Sequence, residues 1–310
     1  MTNAQTYHIP ALLNDTIEGL NIHPDGTYVD VTLGGGGHSR AIMERLTGTG
    51  RLLSFDQDMD AFTNEQQYGE HSLHLNPRWQ FVHGNFRYLD NFLDYYGIHA
   101  IDGLLADLGV SFHHFDQAER GFSFRFSGPL DMRMNQQGGI TATDIVNSYS
   151  EQQLAQLLYL YGEMKNARQV AHVLCRERQN KIISRTEQLV EILTPLCGRD
   201  KEKKDLARLF QALRIEVNDE LGALREMLSV AKKLLRPGGR IAILTYHSLE
   251  DRIVKNFLRS GNIEGIIEKD FYGNILTPFR VIEKGLTADA KEVQQNPRAR
   301  SAKLRVAEKI

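Results

Sequence analysis

Two carboxylates, Asp56 and Asp107, and one run of glycines, Gly34-Gly-Gly-Gly37, carry the strongest chemical signal in this sequence. Each acid closes an apolar, strand-like stretch, Arg51-Leu-Leu-Ser-Phe-Asp56 and Ile101-Asp-Gly-Leu-Leu-Ala-Asp107. The glycines follow the β-branched run Thr27-Tyr-Val-Asp-Val-Thr-Leu33, and His38-Ser-Arg-Ala-Ile-Met-Glu-Arg-Leu46 then reads as a helix. A strand, a Gly turn, a helix and a second strand ending on an acid about twenty residues later form a recognisable nucleotide-type site. The turn brings backbone close to a ligand and the acid meets ribose hydroxyls. Glycine suits the turn because it lacks a Cβ and tolerates positive φ. The helix start adds unpaired N–H groups and the positive end of a dipole. The bland alternative is a glycine-rich connection with Asp56 in solvent.

Spacing narrows the ligand. A dinucleotide fingerprint begun at Gly34 requires glycine at 39, where Ser39 stands, and no Gly-Lys-Ser/Thr follows to make a P-loop. A nucleoside without a diphosphate remains, and S-adenosylmethionine fits. Asp107, closing a buried strand beside the glycine crevice, is a second site candidate; capping the next turn is its structural alternative. Phe86, in Gly84-Asn-Phe86 after the strand Trp79–His83, either lines an adenine pocket or packs as a core aromatic. Arg120, Arg125 and Arg133 interleave with Phe122, Phe124 and Phe126 in a turn-rich stretch, a composition that holds phosphates and stacks bases when it is not simply an ordered loop. Asn296-Pro-Arg-Ala-Arg-Ser301 is a compact basic loop whose Arg298 and Arg300 are placed to meet phosphates.

The elements that must position these groups alternate in the α/β manner. Tyr7–Leu20 reads as a short extended lead followed by an amphipathic helix with Pro10 in its first turn, and Met59–Tyr68 and Leu89–Tyr96 are helical. From about His113 to Ile215 the alternation breaks, and helices are predicted over 143–146, 151–161, 166–178, 186–193 and 205–217, with Ser150 and the Ser184–Glu187 stretch supplying caps. The pattern resumes with a helix over Leu221–Leu235, stopped by Arg236-Pro-Gly-Gly239. A strand Arg240–Tyr246 comes next, then a helix capped by Ser248 and terminal strands at Phe279–Glu283 and Ala302–Ala307. The expectation is an α/β sheet over 1–112 and 216–310 with an inserted all-helical domain at 113–215 that recognises RNA. With 310 residues, 41% of them hydrophobic, the chain is long enough for two lobes. A net charge of −2 gives no global attraction to nucleic acid, so cations act in patches. Cys175 and Cys197, in no metal-type spacing, read as buried reduced thiols of a cytoplasmic protein, and neither a membrane span nor a signal-peptide core is visible.

Several blocks extend beyond these general patterns. His8-Ile-Pro, Leu33–Ser39, His83-Gly-Asn-Phe86, Asp107-Leu-Gly-Val-Ser111, Glu119–Phe124, Gly128–Met134, Phe210–Ile215, His247-Ser-Leu-Glu-Asp-Arg252 and Asn296–Arg305 closely resemble the RsmH (MraW) family, bacterial methyltransferases of 16S ribosomal RNA. The resemblance implies a Rossmann-like class I methyltransferase sheet. It also implies S-adenosylmethionine as donor without a metal, and N4 of a decoding-centre cytidine in the small ribosomal subunit as acceptor. It places donor contacts at Gly36, Gly37, His38, Asp56, Phe86 and Asp107, and a further one at His114, where the family carries glutamine.

Cytosine N4 is a weak nucleophile because its lone pair is delocalised, so a group must orient the amine and take proton density. Asp107 is the first candidate; Tyr246 or His247, at the end of the next strand, is the alternative. A flipped cytidine also needs a ring to stack on, for which Phe124, Phe126 and Tyr246 are available. Two competing readings remain. One is a nicotinamide oxidoreductase, which Ser39 opposes. The other is a non-catalytic RNA-binding assembly factor, which the intact turn and its acids oppose.

Overall fold

The structure, a computed structural model, describes residues 10–110, 112–198 and 201–310. His8 and Ser111, singled out in sequence motifs, lie outside the described residues. The chain divides into two compact units, residues 1–109 with 221–310 and residues 110–220.

The first unit begins with α1 (Leu13–Leu20), β1 (Thr27–Asp30), α2 (Gly37–Met43), β2 (Arg51–Asp56), α3 (Met59–Gln66), β3 (Trp79–His83), α4 (Leu89–Tyr95) and β4 (Ile101–Asp107). The second unit holds α5 (Phe112–Asp116), α6 (Ala142–Ser148), α7 (Glu151–Leu160), α8 (Ala167–Asn180), α9 (Thr186–Leu193) and α10 (Glu202–Asn218). The chain then runs through α11 (Glu220–Leu234), β5 (Leu235–Thr245), α12 (Ser248–Ser260), β6 (Glu268–Lys269), β7 (Ile275–Leu276), β8 (Phe279–Thr287), α13 (Ala290–Gln295) and β9 (Lys303–Lys309). Pro10 precedes α1 instead of opening it; its ring lies against Gly37, where an added Cβ would sit 2.2 Å from Pro10 Cγ.

Seven strands form one sheet in the order β3-β2-β1-β4-β5-β9-β8, and β6 with β7 makes a separate hairpin. The first five strands are parallel; β9 runs antiparallel to both β5 and β8. The order reverses between β1 and β4, and a ligand crevice is expected at the carboxyl ends of those two strands. Alternate residues of each strand feed opposite faces. Val29, Leu53, Phe55, Leu104, Ile241 and Ile243 pack with α4, α11 and α12, while Tyr28, Leu52, Leu105, Ala242 and Leu244 pack with α1 and α2. A sheet buried on both faces requires near-continuous apolar strands, which is what the sequence supplies. Each buried Leu, Ile or Phe contributes roughly 1.5–3 kcal/mol of transfer free energy.

Two local expectations are corrected. Arg236-Pro-Gly-Gly239 does not separate α11 from β5. It is a bulge within β5, exposed over 236–238 and buried at Gly239, since Leu235 pairs with Ile101 and Arg240 with Gly103. A proline and two glycines fit there because the excursion leaves the ladder. Cys175 and Cys197 are free but only half-buried.

The second unit has its own apolar core, including Ile145, Leu157, Val170, Leu174, Leu189, Leu209 and Leu213. Its helices are started by local chemistry: Thr141 with Asp144 and Ser150 with Gln153 form reciprocal capping boxes. The unit starts at Val110 and ends at Glu220, wider than 113–215, because α10 continues unbroken to Asn218. Among the described residues no helix is long and apolar enough to cross a membrane.

Candidate active site

The glycine turn is held in place by the acid of the neighbouring strand. Asp56, half-buried at the end of β2, accepts the Gly34 N–H through Oδ2 at 2.9 Å and the Asp58 N–H through Oδ1 at 2.9 Å. Leu33 donates to the Phe55 carbonyl, and Gly36 closes a turn onto the Leu33 carbonyl. Gly34 and Gly36 have φ of 50° and 73°, and only glycine adopts these without strain. Gly34 presents an open side, since the nearest atom to an added Cβ is 3.9 Å away. Gly36 is packed instead against the Arg40–Glu65 ion pair, with Glu65 Oε2 2.6 Å from where its Cβ would stand. The Arg40 guanidinium donates to both the buried Glu65 carboxylate and the Gly35 carbonyl, and it lies over the Tyr68 ring at 3.8 Å.

A buried chain of polar groups lies beneath the turn. Trp79 Nε1 donates to Ser54 Oγ, Ser54 and Ser39 share a 2.7 Å bond, and Ser39 Oγ donates to Asp30 Oδ2 at 2.6 Å. With Asp30 ionised, the indole only donates and the carboxylate only accepts, so the hydroxyl protons point from Trp79 toward Asp30. Thr32 donates its N–H, and at 3.3 Å its hydroxyl, to Asp30 Oδ1, while Thr32 Oγ1 accepts the Asp107 N–H at 2.7 Å. Burial raises the Asp30 carboxyl to about 7, despite the opposing pull of the Ser39 and Thr32 hydrogen bonds.

At the end of β4, Asp107 Oδ1 accepts the Tyr246 hydroxyl at 2.7 Å, and Oδ2 lies 3.7 Å from Nδ1 of the buried His38. Burial raises the Asp107 carboxyl to about 7; the Tyr246 bond lowers it and the Glu250 charge raises it. The same burial, with Asp107 opposite, pushes the Tyr246 phenol well above its usual range. His247, not Ser248, caps α12: its Nδ1 accepts the Glu250 N–H at 3.5 Å, and its Nε2 lies 3.1 Å from Glu250 Oε1. Glu250, buried, accepts the Tyr246 N–H at 2.9 Å through Oε2. Its carboxylate thus fixes the backbone at the end of β5.

The structure therefore gathers Gly36, Gly37, His38, Asp56, Asp107, Tyr246 and His247 at the carboxyl ends of β1, β2, β4 and β5. Phe86 stands half-buried after β3, on a turn tied to the β2 loop by the bond from Asn85 Nδ2 to Gln57 Oε1. His114 belongs to the helical unit, buried with its ring 4.8 Å from that of Phe122. Arg120, expected to face RNA, is buried and donates to the Arg133 and Met134 carbonyls, so its charge organises its own loop. Arg133 is held bidentate by Asp131. Phe124 packs edge-on to Phe210, whereas Phe126 and Arg125 are exposed. Arg298 and Arg300 project from an exposed 3₁₀ turn, Pro297–Ser301.

Sequence reasoning missed Asp30, the Arg40–Glu65 pair and Glu250. Asp30 left one signal, a carboxylate inside an apolar strand, which is costly unless bonded. It also missed a polar cleft of about 410 Å³ after β5, lined by residues of α12 and of the approach to β9.

A seven-stranded sheet in this order, parallel over five strands, a glycine turn open at Gly34, a carboxylate ending β2 and another ending β4 define an S-adenosylmethionine-dependent methyltransferase of the Rossmann-like class I, with an inserted helical unit. The chain belongs to the MraW methylase family, which it matches over residues 5–310. It is 56% identical over 305 residues to the ribosomal RNA small subunit methyltransferase H of Bacteroides thetaiotaomicron, covering 98% of each. It is 50% identical over 303 residues to that of Cytophaga hutchinsonii, covering 98% of this chain and 99% of the other. Among solved structures it is similar to an rRNA methylase from Streptococcus thermophilus, with a TM-score of 0.41 and 12% identity over 96% of this chain and 93% of that one. It is also similar to NSun6 from Pyrococcus horikoshii, with a TM-score of 0.46 and 12% identity over 97% of this chain and 53% of that one.

Proposed function

We propose that this chain methylates N4 of a decoding-centre cytidine in 16S rRNA of the small ribosomal subunit, in the cytoplasm. The names of its 56% identical relatives support the RNA, and the Asp107–Tyr246 pair is the observation that carries the chemistry. The open side of Gly34, the half-exposed Asp56 carboxylate and the Phe86 ring fit a nucleoside-bearing donor, with Gly36, Gly37, His38 and Asp107 completing its contacts. The donor supplies an electrophilic methyl group on a sulfonium. Asp107 accepts proton density from the amine as the new C–N bond forms. A carboxyl poised at about 7 is half ionised at neutral pH, close to the best compromise between availability and basicity. Tyr246 holds Oδ1, so the substrate amine is met by Oδ2, which His38 Nδ1 flanks at 3.7 Å, and Glu250 fixes Tyr246 through its backbone. Arg125, Arg133, Arg298, Arg300 and Phe124 contact RNA. Most of the rate gain then comes from positioning the amine and from fixed electrostatics.

The experiment is transfer from labelled S-adenosylmethionine to undermethylated small subunits, followed by nucleoside mass spectrometry. N4-methylcytidine at a single site is expected. Label in another nucleoside overturns the acceptor assignment, and no label despite donor binding favours the assembly-factor reading.

A further inference from the structure

We infer that the cleft after β5 is a phosphodiester subsite, which grips the RNA backbone beside the base presented to Asp107. The inference rests on the RNA-methylating reading above and deepens it. The cleft, about 410 Å³, has Thr245–His247 as its floor. One wall is a single stripe of α12, Ser248, Asp251, Arg252 and Lys255, whose spacing places them on one helix face. The other is Ser301 and Lys303, leading into β9.

The lining selects an anion. It carries three cations against one carboxylate, and that carboxylate is already neutralised: Asp251 receives Lys303 Nζ at 3.1 Å and Arg305 Nε at 2.7 Å. These partners hold the Asp251 carboxyl below its usual range, so it stays charged and keeps Lys303 and Arg305 in place. Arg252 and Lys255 project from the outer part of the wall, both exposed. The serine hydroxyls add neutral donors suited to phosphate oxygens. Apart from Tyr246 and His247 the lining has no ring, so most of the cleft offers charge and hydroxyls, not a stacking surface. That same tyrosine joins the cleft to the candidate acceptor, so a phosphate held here belongs to the target nucleotide or its neighbour. Arg298 and Arg300, on the turn that ends at Ser301, extend the cationic track outward.

Lys255 is the residue to test, because it is exposed and stands apart from the candidate proton acceptor. The probe is a short cytidine-centred oligoribonucleotide, compared with the same strand carrying one neutral methylphosphonate linkage beside the cytidine. Lys255→Ala is expected to weaken binding about fivefold at 0.1 M salt and to reduce the slope of log Kd against log salt by about 0.7, the counterion release of one single-strand contact. Lys255→Arg retains both, and donor affinity by calorimetry is unchanged. With the neutral linkage on the 5′ or the 3′ side, the Lys255→Ala effect disappears, because one contact cannot be lost twice. An unchanged salt slope overturns the proposal. So does full additivity with every neutral linkage, which would make Lys255 a diffuse surface charge. Binding of this kind with no methylation of cytidine in undermethylated small subunits would instead overturn the reading of the reaction and leave the subsite standing.

Discussion

Asp107→Asn keeps the shape of the candidate acceptor and removes its basicity. Tyr246 can still donate to the remaining carbonyl oxygen, so the loop geometry survives. In the wild type the carboxyl sits at about 7. The ionised fraction is then about one in eleven at pH 6 and about ten in eleven at pH 8. At subsaturating RNA, where the profile follows the free enzyme, methyl transfer is expected to rise about tenfold between those pH values, with its midpoint near 7. Asp107→Asn should lower turnover by about 10²–10⁴ and remove the acidic limb from what remains. Tyr246→Phe deletes a hydrogen bond that lowers the Asp107 carboxyl, so the limb should move to higher pH and the rate at pH 7 should fall. The assay is single-turnover methyl transfer from pH 6 to 8, with donor affinity measured in parallel by calorimetry. Wild-type turnover in Asp107→Asn, or a flat profile in the wild type, would refute the role. A loss confined to donor affinity would leave Asp107 as a donor contact only.

Two further outcomes follow from side chains that sequence patterns did not assign correctly. Arg40→Met strands Glu65, 1% exposed, without its cation and should cost about 3–5 kcal/mol. Adding Glu65→Gln should restore part of the loss in thermal melts, and donor affinity should fall in the single variant because the Gly35 carbonyl is released. Arg120→Ala removes the donor to two carbonyls and should cost roughly 2–3 kcal/mol, seen as faster amide exchange in the helical unit. Arg120 is buried, so the salt slope of RNA binding should not change.

What was legible in the sequence was whatever periodicity and strand-end chemistry encode. Arg51–Asp56 and Trp79–His83 are strands with the expected bounds, Thr186–Leu193 is a helix as read, and Ser150 caps α7 with Gln153. These are local signals, each complete within a few residues. The errors occur where a distant partner decides. Arg236-Pro-Gly-Gly239 has the composition of a helix stop, yet pairing with β4 on either side makes it a bulge. One error is local: Ser248 is the better intrinsic cap, but Glu250, three and four residues on, holds the His247 and Tyr246 amides and shifts the cap to His247. Arg120 lies in a basic, aromatic stretch that suggests RNA, and only the folded loop shows two carbonyls needing its guanidinium. The hairpin β6–β7 and helix α13 are too short for periodicity to mark. The cleft joins α12 to the approach to β9, segments whose proximity no spacing rule predicts.

The insertion of the helical unit between β4 and β5 also imposes a timetable. Asp107 and Tyr246 are 139 residues apart in the chain. At about 5–20 residues per second, a ribosome needs roughly 7–28 s to deliver the second after the first. During that interval β4 has β1 on one side and an unpaired edge on the other, while the helical unit, built from short-range contacts, is free to fold. The growing chain thus finishes a self-contained helical body before its sheet can close. An exposed apolar strand edge in the interim is a template for mispairing, so synonymous changes or starvation that slow translation between codons 108 and 235 should lower soluble yield without altering one residue of the product.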